Sequence, residues 1–256
     1  MTTAPFSFAA AFDLTGKVAV ITGAAGGIGV AIAALFAERG ARLVLVDRIE
    51  AVHATARQFG PAHLSYVAEV TDEARTAAVV ADVVATAGGI DILINNAGIA
   101  RLARAEATDT ALWDETIAVN MRGTFLWARE VGKAMLARGQ GGRIVNMASQ
   151  AAVIALDGHL AYCASKAGLL GLSRVLALEW GPHGITSNAI LPTVVETELG
   201  RKVWAGEVGE AFKKTIPSRR FAQPEEIALA ALYLASGAAG MVNGAELVVD
   251  GGYTIA

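Results

Sequence analysis

A tyrosine and a lysine stand four residues apart in Tyr162-Cys163-Ala164-Ser165-Lys166. The stretch has helical character, so both side chains project from one face. An ammonium held beside a phenol stabilises the phenolate, which predicts a Tyr162 pKa lowered toward neutrality. A phenol tuned in that way serves as a general acid or base. Ser149 lies thirteen residues upstream, just past an apolar run, where its hydroxyl can reach the same cleft. Asn95-Asn96-Ala97-Gly98 ends another apolar run and brings backbone to that crevice. Asn120 falls inside a long helical stretch, where asparagine is a mediocre choice unless its amide has a task.

A second constellation lies near the start of the chain. An apolar run leads into Thr22-Gly23-Ala24-Ala25-Gly26-Gly27-Ile28-Gly29 and then into a helical stretch. Glycines there let backbone turn tightly and approach a pyrophosphate seated on the positive end of the helix. Asp47 ends the next apolar run, eighteen residues after Gly29. An acid at that place accepts hydrogen bonds from an adenosine ribose. It also repels a 2′-phosphate, so NAD is favoured over NADP. Arg48 works the other way: one arginine can rescue a phosphate, or it can lie over the adenine face.

These groups need a frame that presents strand ends on one edge. Short runs at 17–22, 42–47, 64–69, 91–95, 143–147, 186–191 and 246–249 are mostly rich in Val, Ile and Leu, without polar alternation. Strands buried on both faces of a parallel sheet read this way. Helical stretches at 27–39, 50–59, 72–87, 111–138, 161–180 and 225–235 lie between them. The alternation predicts an α/β fold: one Rossmann-type doubly wound domain over residues 1–256, with helices on both faces of a mostly seven-stranded parallel sheet. Residues 193–219 break the alternation after a strand's carboxyl end, where ligands bind in this architecture, and are read as a substrate lid.

Composition narrows the functional classes. The chain has 256 residues, 54% of them hydrophobic, and a formal net charge of −3. Low charge with that apolar content excludes disorder. Scattered Lys and Arg and a sequence pI near 5.8 give no footprint for nucleic acid. Residues 18–37 carry no charge, nominally enough to span a bilayer. Four glycines within residues 23–29 break a helix there, so a membrane span is set aside. Residues 1–12 lack Lys and Arg and hence a basic secretory leader. With Cys163 the single cysteine, no internal disulfide can form, which suits a reducing cytoplasm. Cys163 has no histidine or carboxylate nearby in sequence to activate it, and it reads as a small apolar residue. The four histidines show no metal spacing, so no metal site is expected. His159 is read as a solvated loop residue, within reach of a substrate.

Taken in order, these motifs resemble the short-chain dehydrogenase/reductase family, from residue 17 to residue 253. The residues that carry the resemblance are the glycine turn, Asn95-Asn96-Ala97-Gly98, Asn120, Ser149, Tyr162 with Lys166, and the segment from Pro192 to Thr197. The resemblance implies that Tyr162 exchanges a proton with the substrate oxygen and Ser149 holds that oxygen. It implies that Lys166 binds the nicotinamide ribose and that Asn120 holds a water linking Lys166 to solvent. Gly23, Gly27, Ile28, Gly29, Asn96, Ala97, Gly98, Pro192, Val195 and Thr197 would line the cofactor, with Val70 beside the adenine. Two positions depart from the family pattern. Glu69-Val70 stands where Asp before an apolar residue is usual, and Pro192-Thr193 stands where Pro-Gly is usual.

Short stretches such as residues 96–102 and 249–254 look like the polyol-oxidising branch of the family, which includes galactitol-type dehydrogenases. Preference for NAD agrees with oxidation. The wholly apolar run 151–156 suits a diol or a short aliphatic alcohol. The competing reading is a 3-oxoacyl-(acyl-carrier-protein) reductase, for which Lys133 can serve in docking the carrier, although Leu178 occupies a place where a carrier-docking arginine is expected. The stretch 161–180 carries only Lys166, Arg174 and Glu179 as charges. A helix apolar nearly all round must be covered on more than one side. Family resemblance therefore implies a homotetramer packed through it and 111–138.

Overall fold

β-Branched and aliphatic runs form strands here, and three interior ones, Val18–Thr22, Ile92–Asn95 and Ile185–Pro192, are buried along their whole length. In the computed structural model, which describes residues 7–256, a short helix α1 (Phe8–Ala11) precedes β1 (Val18–Thr22), every residue of which is buried. Then follow α2 (Gly27–Glu38), β2 (Arg42–Asp47), α3 (Ala51–Gln58), β3 (Leu64–Val67), α4 (Glu73–Ala87) and β4 (Ile92–Asn95). The second half holds α5 (Thr110–Ile117), α6 (Thr124–Arg138), β5 (Gly142–Met147), α7 (Leu160–Trp180), β6 (Ile185–Pro192), α8 (Glu198–Val203), α9 (Glu207–Thr215), α10 (Pro224–Ala235) and β7 (Glu246–Val249). Residues 1–6, half of the stretch searched for a leader, lie outside the described residues.

All seven strands pair in parallel, in the order β3-β2-β1-β4-β5-β6-β7. The expected single α/β domain is therefore observed. Chain direction across the sheet reverses between β1 and β4, which opens a crevice at their carboxyl ends. One apolar layer, with Ile32, Phe36 and Ile227, joins α2 and α10 to one face. The other, with Val79, Val83, Trp127 and Val131, joins α4 and α6 to the opposite face. Leucine, isoleucine and valine at these depths each contribute roughly 1.5–3 kcal/mol through burial. Among the described residues no helix is long and apolar enough to cross a membrane.

Two expectations change. The stretch 111–138 is not one regular helix: between α5 and α6 the chain forms a π-helical segment, Ala118–Gly123. Strand β3 ends at Val67, so Glu69 and Val70 sit in the loop beyond it rather than on the strand. Both corrections fall at the crevice, where backbone must leave regular geometry to meet a ligand.

Candidate active site

The first wall of the crevice is the turn after β1. Gly23 (φ +65°) and Gly27 (φ +55°) adopt left-handed backbone that a larger residue resists. A Cβ on Gly23 would also stand 2.9 Å from Ala97 Cα. Thr22 Oγ1 accepts from the amides of Asn96 (3.0 Å) and Ala97 (3.1 Å), locking the two strand ends together. The Asn96 carboxamide donates at 3.0 Å to the carbonyls of Thr22 and Gly23. Asp47 accepts the Ala25 amide at 3.0 Å, so the acid after β2 also shapes the turn.

Beyond the turn a cavity of about 140 Å³ is lined by Gly23, Asp47, Arg48, Glu69, Val70 and Gly98, among others. Val70 is buried and packs so near Gly123 that a Cβ there would meet its methyl group at 2.8 Å. Gly29 is buried against Gly23, and Ile28 borders the neighbouring cavity. A tight glycine turn opening a 12-residue helix, an acid at the next strand end and a recess with Ala68, Val70 and Val119 on its wall fit a dinucleotide.

The second cavity, about 320 Å³, meets the first at Gly98 and Ile99. Ser149, Tyr162, Lys166, Pro192, Val195 and Thr197 are all on its wall. Strand β5 carries Ser149 there in extended backbone (φ −172°, ψ 158°). Helix α7 supplies Tyr162 and Lys166 one turn apart. Thr197 caps α8 by accepting the Gly200 amide at 3.0 Å, and its side chain faces Gly27. Thr193, buried, stands between Pro192 and Val194 on the same wall.

The electrostatics correct one expectation. Burial pushes the Tyr162 phenol up from its ordinary value, and hydrogen bonding from Ser149 opposes this only in part. Burial also holds the Lys166 ammonium down, at about 8. Lys166 Nζ donates to the Met147 carbonyl at 2.6 Å and lies 5.7 Å from the centre of the Tyr162 ring. Desolvation of the phenolate sets the direction, and the ammonium gives no compensating pull. The predicted lowering of the tyrosine is absent from the protein alone.

Asn120 is fully buried within the π-helical segment. Its Oδ1 accepts the Ile99 amide at 2.8 Å, and its Nδ2 donates to the Ile99 carbonyl (2.9 Å) and to Ser165 Oγ (3.0 Å). This amide clamps the loop after β4 to α7.

Residues 193–219 fold as α8 and α9 over the outer side of the cavity, where Trp204 and Phe212 join the lining. Their rings lie 4.7 Å apart, and Phe212 meets Tyr253 at 5.1 Å. Arg48 and Glu69 stay with the smaller cavity, away from Tyr162. His159 is half-buried against the Tyr162 ring at 6.1 Å rather than free in solvent. Cys163 is a free thiol, half-buried. Among the described residues no cluster of three His, Cys, Asp or Glu side chains could hold a metal. Of the apolar run 151–156 expected to line the substrate pocket, Leu156 is on the cavity wall and 151–155 are not; sequence reasoning missed Gln150, for which the position directly after Ser149 was the available signal.

The comparisons with known proteins agree with this geometry. Residues 23–254 match the family model described as enoyl-(acyl carrier protein) reductase. A D-threitol dehydrogenase of Mycolicibacterium smegmatis is 56% identical, over 95% of this chain and 95% of its own. An NAD-dependent glycerol dehydrogenase of Listeria innocua is 52% identical, over 95% and 96%. A solved gluconate 5-dehydrogenase of Burkholderia cenocepacia, in complex with NADP and tartrate, superposes with a TM-score of 0.93 at 36% identity, covering 98% of this chain and all of that one. The chain belongs to the short-chain dehydrogenase/reductase family, and within it to the polyol dehydrogenase branch. It is an oxidoreductase of secondary alcohols and ketones.

Proposed function

We propose that this chain is an NAD-dependent dehydrogenase that oxidises a sugar alcohol, polyol or diol to the ketone, and reduces the ketone in reverse. The observation that carries the reading is Ser149 and Tyr162 sharing one cavity wall with buried Lys166 behind them. A nicotinamide held beside Gly98, Pro192, Val195 and Thr197 would supply the hydride acceptor for oxidation and the hydride donor for reduction. Ser149 holds the substrate oxygen, and Tyr162 takes the hydroxyl proton during oxidation and returns it during reduction. Lys166 would bind the nicotinamide ribose. Asn120 is a positioning residue that sets Ile99 and Gly98 at the junction of the two cavities.

Asp47 supports NAD over NADP, because its carboxylate would face a 2′-phosphate. Arg48 beside it is too exposed to neutralise that repulsion fully. Helices α8 and α9 serve as a lid that closes Trp204 and Phe212 over the substrate. Exposed apolar side chains on α7 and α6, among them Leu178, Val175 and Phe125, support a homotetramer. A single free thiol suits the cytoplasm.

The 3-oxoacyl-(acyl-carrier-protein) reductase reading is weaker, since Leu178 leaves no cation at that place on α7 for an acidic carrier. A panel of alditols, diols and 3-hydroxyacyl thioesters, followed by NADH formation at alkaline pH, decides between them. Turnover of alditols and diols is expected. Turnover confined to the thioesters would replace the proposal with the competing one.

A further inference from the structure

Beyond β7 the chain forms a hook that packs against the end of the lid. Asp250 is buried, and its carboxylate accepts the amides of Gly252 (2.8 Å) and Thr254 (2.7 Å). These bonds turn the chain into the short 3-10 segment Tyr253–Ile255. Gly251 (φ +64°) and Gly252 (φ +90°) both take left-handed backbone, which makes the reversal tight. A Cβ on Gly251 would run into the Ser218 hydroxyl, and one on Gly252 would stand 3.1 Å from Pro217. The Ser218 amide donates to the Gly251 carbonyl at 3.1 Å. The hook is therefore seated on Pro217 and Ser218, just past the end of α9.

From this seat the Tyr253 ring reaches back along α9 to Phe212, with centroids 5.1 Å apart and planes tilted by 35°. Phe212 is on the wall of the catalytic cavity and Tyr253 is outside it, so Tyr253 backs Phe212 from behind. Phe212 in turn meets Trp204 at 4.7 Å, and Phe221 closes the group at 6.1 Å from Trp204 and 6.2 Å from Phe212. Helix α9 has little else to fix it, since Gly209 is its one buried residue. Trp204 and Phe212 belong to the lid and Phe221 to the segment leaving it. Tyr253 comes to the cluster from the sheet, by way of β7.

We propose that Tyr253 is a positioning residue for the substrate end of the site. Through Phe212 it holds α9 where Trp204 and Phe212 close over the bound alcohol, so the C-terminal hook helps to set affinity for that alcohol. The inference rests on the reading of α8 and α9 as the lid of a polyol dehydrogenase. Aromatic pairs at this spacing add to the gain from burial. Removing the outer ring frees the inner one to swing away from the cavity.

The test is a double-mutant cycle read in KM and kcat for 1,2-propanediol and for NAD. The proteins compared are the wild type, Tyr253→Ala, Tyr253→Phe, Phe212→Ala and the variant carrying Tyr253→Ala with Phe212→Ala. Tyr253→Ala is expected to raise KM of the diol by about fivefold, with KM of NAD unmoved. Tyr253→Phe keeps the ring and is expected to keep the wild-type KM. In the Phe212→Ala background, Tyr253→Ala is expected to add nothing, because the ring through which it acts is gone. Additive effects in the double variant, an equal rise in KM of NAD, or a raised KM in Tyr253→Phe each overturn the role. If Tyr253→Ala is insoluble, Tyr253→Leu takes its place in the same cycle. A wild type that oxidises no diol or alditol, yet turns over 3-hydroxyacyl thioesters, overturns the polyol reading alone. The same cycle run on the thioester then decides the role of Tyr253.

Discussion

Lys166 on α7 bonds the carbonyl of Met147, the last residue of β5, at 2.6 Å. The lysine thus fastens the helix carrying Tyr162 to the strand that leads to Ser149. One of the three N–H donors of its ammonium is held by backbone, and 5.7 Å separates the ammonium from the centre of the Tyr162 ring. In this arrangement the lysine fixes geometry.

Replacing Tyr162 with Phe removes one oxygen from a side chain that α7 already holds in place. Turnover is expected to fall by about 10² to 10⁴. NADH affinity, read by fluorescence titration, should stay within a few-fold of wild type. Retained turnover would remove Tyr162 from the mechanism.

Stability should depend on pH through the buried pair. The folded chain holds Lys166 at about 8 against an ordinary 10.5. Between those values the unfolded state binds more protons, so stability rises with pH across that window. Tyr162 acts oppositely above about 10, where the unfolded phenol ionises before the buried one. Thermal unfolding of the protein without cofactor should therefore show a stability rise from pH 8 toward 10 that Lys166→Met lacks. An identical slope in the variant contradicts the burial of a titrating ammonium.

Asp47→Ser should lower the ratio of kcat/KM with NAD to that with NADP by about tenfold or more, since it removes a charged hydrogen-bond acceptor and a repulsion together. Because Asp47 also accepts the Ala25 amide, both cofactors should bind somewhat less tightly. A preserved ratio would mean that the ribose lies elsewhere.

Leu178 is 79% exposed on α7, with Val175 one turn back and Phe125 on α6. Leu178→Asp places a charge where a sister subunit is expected to lie. Light scattering at micromolar concentration should report a tetramer for the wild type and a smaller species for the variant. A wild-type monomer would sink the assembly.

The strands were legible because burial on both faces leaves an unbroken apolar signature. Ile92 to Asn95 and Arg42 to Asp47 are short and nearly free of polar alternation. Tyr162, Lys166, Ser149 and Asn120 were legible from residue type and spacing. The Tyr162 pKa was not, because desolvation depends on how deeply neighbouring segments cover the ring. Gln150 was opaque for the same reason: its burial is a property of packing. Helices α8 and α9 are 6 and 9 residues long, too short to be helical by local propensity, and need the aromatic contacts of Trp204 and Phe212.

The break between α5 and α6 has a counting consequence. A π-helical turn accommodates one residue more than regular helix over the same rise. Taking one residue out of Ala118–Gly123 would let α5 and α6 merge into an uninterrupted helix with better backbone hydrogen bonds. α5 and α6 would stay in phase, but Asn120, set within the widened turn, would lose its aim at Ile99. The enzyme carries a frame error in its helix as the condition for aiming one amide. A single-residue deletion there should give a protein that keeps its helix content and loses its turnover.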